Sequence, residues 1–299
     1  MKSAFIFTGQ GSQYLGMGED LYKNSAYARK IIDSLDFGYD FEDICVKKNE
    51  LIHNTLYSQS AIFTISIILA NLLKEKNIVP DAVAGLSLGE YTACCYSGIL
   101  DIENMLAIIN KRSQIMADTF SDGSKGMAAV MFYDNDKLRD KLGNCEIANY
   151  NSYNQTIITG RKEDIQKAIL SLEEDGARCV ELNVSGAFHS SFLYEASKKL
   201  NEELNKYTFS KGSIPVYFNY TGNEENENYI ELLTKHMYSP VRFIDIIENM
   251  LKRGIDTFYV IGAGNSIRSF IKNIADTNKV KVNIKCVQNI DDITKMEKE

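Results

Sequence analysis

Gly85-Leu86-Ser87-Leu88-Gly89 is the stretch on which the reading of this chain turns. It fits Gly-x-Ser-x-Gly. Upstream, Asp81-Ala82-Val83-Ala84 is short and apolar and follows Pro80, which predicts a buried strand. Downstream, Glu90-Tyr91-Thr92-Ala93-Cys94-Cys95-Tyr96 predicts the start of a helix. Strand, sharp turn and helix make a nucleophile elbow. Glycine on both sides lets the backbone turn tightly and leaves space around Ser87. The Ser87 hydroxyl then stands at a strand end, where N–H groups of the helix N-terminus face any negative charge that develops.

Outward from the elbow, Ser3–Thr8 reads as a first strand, followed by the polar loop Gly9-Gln10-Gly11-Ser12-Gln13. That loop lacks the context of a dinucleotide fingerprint. Residues 58–76 show helical apolar spacing, and Ile102–Phe120 reads as a further helix with Asp101 as its N-cap. The texture then changes. Gly126–Tyr133, Glu146–Tyr150, Gln155–Thr159 and Arg178–Val184 read as strands, and Asn135–Leu142 and Lys162–Asp175 as helices. The order β-α-β-β-α-β is that of the ferredoxin-like unit. Beyond it, Ser191–Tyr207 and Pro240–Arg253 read as helices, and Val216–Tyr220 and Thr257–Ile261 as strands. The acidic run Asn223–Asn228 reads as a solvated loop. The expected fold class is therefore α/β. A hydrolase-like parallel-sheet core (1–123 and 187–299) carries an inserted ferredoxin-like βαββαβ subdomain (124–186).

Bulk properties narrow the function. A chain of 299 residues suffices for one large or two smaller domains. The net charge of −7 argues against nucleic acid as main partner. The apolar run Ile62–Ala70 is too short to span a bilayer, and the N-terminus lacks the apolar region of a signal peptide, so no membrane association and a cytoplasmic location are expected. The six cysteines form no C-x-x-C pair and read as free buried thiols, with no metal site among them. The three histidines, His53, His189 and His236, are the candidate bases for Ser87.

Four islands now align: Gly9-Gln10-Gly11-Ser12-Gln13, Gly85-Leu86-Ser87-Leu88-Gly89-Glu90-Tyr91, Lys111-Arg112-Ser113-Gln114-Ile115-Met116 and Gly186-Ala187-Phe188-His189-Ser190-Ser191. Together they resemble the malonyl-CoA:acyl-carrier-protein transacylases and the acyltransferase domains of polyketide and fatty-acid synthases, over nearly the whole length. The resemblance implies transfer of a malonyl group from coenzyme A to a carrier-protein phosphopantetheine thiol through an acyl-serine, with malonyl-CoA and acyl carrier protein as partners. No metal or cofactor is implied, and a monomer is the simplest assembly.

By resemblance, Ser87 is the nucleophile, His189 the base, and the N–H groups of Leu88 and Gln10 the oxyanion hole. Arg112 is the specificity residue, and its planar guanidinium suits a malonyl carboxylate. Gln59 matches a family glutamine near the pocket. His236 stands where the family usually has glutamine, at a position whose main-chain carbonyl accepts the base's other N–H; its side chain could also take part. Phe188 precedes the base where serine is frequent. Leu86 replaces a family histidine and removes a polar group beside the nucleophile. Asn149 and Asn151 either line the cleft or serve as turn residues. His53 reads as a surface histidine. Acidic carrier proteins predict a Lys/Arg patch beside the cleft. Two alternatives stay open: a discrete acyltransferase loading a polyketide synthase, and a thioester hydrolase on the same serine and histidine. Arg112 weighs against the hydrolase.

Overall fold

A computed structural model describes residues 2–184 and 186–296. Met1, residues 297–299, and Ser185 of the expected 124–186 unit lie outside the described residues. Ten strands form two sheets. They are β1 (Lys2–Phe7), β2 (Ala82–Gly85), β3 (Lys125–Met131), β4 (Glu146–Ser152), β5 (Gln155–Arg161), β6 (Arg178–Glu181), β7 (Val216–Tyr217), β8 (Glu224–Glu225), β9 (Ile255–Ile261) and β10 (Asn283–Val287). The larger sheet has the order β10-β9-β1-β2-β7-β8. Its strands run parallel except for the last pair. Ala4, Phe5, Ile6 and Phe7 are all buried, because helices cover both faces of a central parallel strand and leave no polar side.

The smaller sheet is antiparallel, in the order β4-β5-β3-β6. With the helices Asn135–Lys141 and Lys162–Glu174 it makes the expected βαββαβ unit, around its own core of Ala128, Val130, Leu138, Ile147, Ile158 and Leu172. One strand of it grips the larger body. Tyr150 N–H donates to the Val241 carbonyl at 2.9 Å, and Val241 N–H donates to Ala148 at 2.8 Å. Beside this bridge, the Glu146 carboxylate accepts from the Ser191 N–H at 2.9 Å.

Between the layers lies the helix Thr55–Glu75, capped by the Asn54 side chain on the Leu56 N–H. It is long and apolar enough to cross a membrane, but most of it is buried inside the protein, and it serves as the core helix. The sequence expectation placed its start three residues late and judged only its central run. Asp101 caps Ile102–Thr119 through the Asn104 N–H at 2.9 Å, as expected.

Other expectations need correction. The strand expected to reach Val184 ends at Glu181, and the one expected to reach Tyr220 ends at Tyr217. The helix expected from Pro240 begins at Phe243, since Val241 is spent on bridging the small sheet. The segment from Ser191 opens as a 3₁₀ turn before the helix Tyr194–Leu204. The acidic run is not merely solvated. Glu224–Glu225 pairs with β7, and Glu224 is ion-paired with Arg253. Of the six free thiols, Cys179 and Cys286 are only half-buried.

The elbow depends on backbone contacts that exclude side chains. A Cβ on Gly85 would stand 2.0 Å from the Gly89 carbonyl carbon, and one on Gly89 2.3 Å from the Phe7 carbonyl oxygen. A Cβ on Gly9 would meet the Leu86 carbonyl oxygen at 2.3 Å. Strand, turn, helix and the first loop thus pack backbone to backbone. Gly85→Ala is expected to destabilise the fold by at least ~1–3 kcal/mol, the usual cost of overpacking. Urea denaturation beside the wild type checks this.

Candidate active site

The site lies beyond the carboxyl ends of adjacent parallel strands, where α/β sheets present their ligand crevices. β1 leads into the Gly9–Ser12 loop, β2 into Ser87, and β7 into Asn219. Ser87 has φ +53°, a left-handed conformation that a non-glycine residue holds only under constraint. The constraint is visible. Ser87 N–H donates to Asn219 Oδ1 at 2.9 Å, and Asn219 Nδ2 donates to the Gly85 carbonyl at 2.8 Å. Asn219 therefore clamps both ends of the turn.

His189 lies in the return from the small sheet and also has a left-handed backbone, φ +54°. Its Nε2 is 2.7 Å from Ser87 Oγ, and its Nδ1 is 3.0 Å from the His236 carbonyl oxygen. A carbonyl only accepts, so Nδ1 carries the proton and Nε2 is free to accept from the serine hydroxyl. This is the geometry of a nucleophile–base pair whose orienting third member is main chain. His189 is buried. Burial first, then the electrostatic influence of His236 and of the Arg112 guanidinium, hold its imidazole well below its ordinary value near 6.5, against the opposing pull of the carbonyl bond. The imidazole is therefore neutral at neutral pH, the state a general base needs.

Arg112, in the helix Ile102–Thr119, is only 2% exposed. Its guanidinium donates to Gln59 Oε1 and lies over the Tyr91 ring, 5.2 Å from the centroid. Among the described residues no carboxylate pairs with it. Gln59 reaches Arg112 from the core helix, and its Nε2 lies 3.4 Å from Thr55 Oγ1, which also accepts from Gln10 Nε2 at 2.7 Å. Gln10 and Arg112 are thus joined through Thr55 and Gln59. Phe188 packs edge-on against Phe120, with centroids 5.7 Å apart, and walls the site beside His189. Leu88 directly precedes the helix Gly89–Tyr96, so its N–H belongs to the free first turn.

Ser87, His189, Arg112, Gln59, Gln10, Leu88, Phe188 and His236 therefore gather at one place. Asn149 and Asn151 are spent on the small sheet: Asn149 bridges Val241, and Asn151 Nδ2 donates to Gln155 at 2.9 Å. His53 is exposed beside Glu50, as expected. Leu86 packs on the apolar layer behind the sheet. Sequence reasoning missed Glu90, Asn219, Thr55 and Tyr91. A polar Asn219 just past an apolar strand end was the one local signal available for that residue.

The acyl transferase domain model matches residues 4–283. The chain belongs to that family. The enzyme is an acyltransferase. It is 34% identical to the malonyl CoA-acyl carrier protein transacylase of Bacillus subtilis (strain 168), over 91% of this chain and 90% of that one. The crystal structure of MCAT from Streptococcus pneumoniae superposes with a TM-score of 0.92 at 36% identity, covering 100% of both chains. A malonyl-transacylase in complex with a type II PKS acyl-carrier protein superposes with a TM-score of 0.94 at 26% identity, again over 100% of both chains.

The depressed His189 carries a stability consequence for the acyltransferase. The unfolded chain takes up a proton near pH 6.5 while the native imidazole stays neutral, so native stability falls as pH drops through 6.5 toward the native value. His189→Gln removes this contribution. Its melting temperature is expected to fall less than that of the wild type between about pH 7 and about pH 5. Thermal melts at both pH values decide it.

Proposed function

We propose that this acyltransferase moves a malonyl group from malonyl-CoA to the phosphopantetheine thiol of acyl carrier protein through a malonyl-serine intermediate, supplying fatty-acid synthesis. The observation that carries the malonyl choice is Arg112, a buried guanidinium held by a neutral glutamine and an aromatic ring. A buried cation without a counter-charge is costly, and the free carboxylate of a malonyl group supplies one. A simple acyl chain does not, which also disfavours a plain thioester hydrolase.

Ser87 Oγ attacks the thioester carbonyl as its proton passes to His189 Nε2. The charge that develops on His189 is oriented by the His236 carbonyl on Nδ1. The oxyanion of the tetrahedral adduct is held by the N–H groups of Leu88 and Gln10. Collapse breaks the C–S bond, and the departing coenzyme A thiolate takes the proton from His189. The carrier thiol then gives its proton to His189 and attacks the malonyl-serine ester. On the second collapse, Ser87 Oγ leaves and recovers that proton. The sequence needs no metal or cofactor.

The cytoplasm is the compartment we assign, with the enzyme acting as a monomer away from membranes and nucleic acid. Residues 124–186 act as a subdomain, a reading supported by the β3–β6 sheet having its own core. A surface hollow lined by Thr55, Phe120, Lys125, Lys162 and Val184 adjoins the site, since Thr55 holds Gln10 and Phe120 packs on Phe188. Lys125 and Lys162 are the cationic patch we assign to an acidic carrier protein. Loading of a polyketide-synthase carrier is the second reading, favoured by the likeness to the transacylase bound to a type II PKS carrier protein.

Intact-mass analysis after mixing with malonyl-CoA or acetyl-CoA tests the core proposal. Wild type is expected to gain a malonyl adduct, and Ser87→Ala none. Arg112→Ala is expected to lose malonyl loading by about 100-fold or more, the scale of an unmade buried charge pair, while acetyl loading does not fall with it. Equal loading of both thioesters by wild type would overturn the role of Arg112. Separately, Lys162→Glu is expected to raise the KM for carrier protein and weaken its salt dependence while leaving malonyl-CoA loading unchanged. Steady-state transfer at two ionic strengths measures this.

A further inference from the structure

Behind His189 lies a second imidazole that the proposed reaction does not use. The rings of His189 and His236 stack, with centroids 4.9 Å apart and planes 18° from parallel. His236 Nδ1 stands 2.9 Å from Glu90 Oε1, at an angle short of an aligned hydrogen bond, with both side chains essentially fully buried. The other Glu90 oxygen accepts from Asn219 twice, from its main-chain N–H and from Nδ2, the latter at 2.6 Å. Asn219 is the residue that accepts from the Ser87 N–H. One carboxylate therefore touches the holder of the nucleophile on one side and the carrier of the base's acceptor carbonyl on the other.

We propose that Glu90 and the His236 side chain form a buried positioning pair that sets the Ser87 turn and the His236 carbonyl in one frame, and so fixes the Ser87–His189 distance. It rests on the assignment of Ser87 and His189 as nucleophile and base. Chemistry supports the pairing. A carboxylate with no exposure needs a cation or a full set of donors. Asn219 satisfies one oxygen, and His236 Nδ1 is the donor within reach of the other. Position supports it too. Glu90 sits on the elbow helix three residues after the serine, whereas His236 ends the helix Tyr229–His236 in a distant part of the chain. The pair is thus a cross-link between the two segments that build the site.

The pair also acts on the base. The charged or titratable groups around this cluster are Ser87, Tyr91, Cys94 and Arg112, besides the pair and His189. His236, stacked on His189, opposes protonation of the base in the same sense as Arg112. Replacing the His236 side chain leaves His189 easier to protonate.

The rate of Ser87 acylation by malonyl-CoA is measured against pH in wild type, Glu90→Gln, His236→Gln and the double variant. His236→Gln keeps the main-chain carbonyl. Each single variant is expected to lose about tenfold in maximal acylation rate with KM for malonyl-CoA unchanged, and the double variant no more than the worse single. The acid limb of the profile is expected to move to higher pH in His236→Gln. An unmoved acid limb in that variant, or losses that multiply in the double variant, overturn the proposal. If a variant does not fold, ¹⁵N spectra of the wild-type ring nitrogens decide instead: a proton on His236 Nδ1 that persists through neutral pH supports the pair, and a bare Nδ1 overturns it. A wild type that never acquires an acyl group on Ser87 overturns the catalytic assignment, while the ring spectra still judge the pair.

Discussion

Everything in this site depends on how closely two backbones approach at the elbow. The turn after β2 lies against the end of β1 with no room for a Cβ at Gly9, Gly85 or Gly89. That contact places the first loop, with Gln10, beside the N-terminus of the Gly89–Tyr96 helix. It also leaves Ser87 in a left-handed conformation, which the Asn219 side chain holds in place. Ser87 keeps its place, half-buried, because its backbone is confined.

A second constraint is electrostatic. The site keeps a guanidinium and two imidazoles within a small buried volume, and among the described residues Glu90 is the one fully buried carboxylate beside them. Such an arrangement disfavours further positive charge, and His189 pays for it with a depressed proton affinity. The same arrangement favours an incoming anion. An affinity for anions and a neutral imidazole at His189 are therefore two results of one charge distribution.

Much of this was legible in the sequence, for a physical reason. The elbow is a local motif, since its glycines, its serine and its flanking strand and helix are all set by neighbouring residues. The βαββαβ unit was legible because its short strand-like runs and its two helices are set apart by polar turns. What escaped were the contacts between distant segments. Glu90 reads as an ordinary acidic residue in the first turn of a helix, and nothing nearby announces that its partners are Asn219 and His236. The Gln10–Thr55–Gln59–Arg112 chain spans three elements and leaves no periodic trace. Element ends moved where a tertiary bond took a residue out of its helix or strand, as at Val241. The strand β10 was missed because it lies at the sheet edge, half-exposed, and mixes polar with apolar residues.

The chain order of these parts has a consequence for how the enzyme comes into being. The serine turn, its glycine contacts and Arg112 all lie in the first part of the chain, but the imidazole follows the entire small sheet, and the carbonyl that orients it comes later still. A polypeptide emerging from the ribosome therefore presents the hydroxyl long before anything can take its proton. Contacts this distant in sequence form late in folding. The Ser87–His189 contact, and the carbonyl bond that orients it, can form only when those last segments dock.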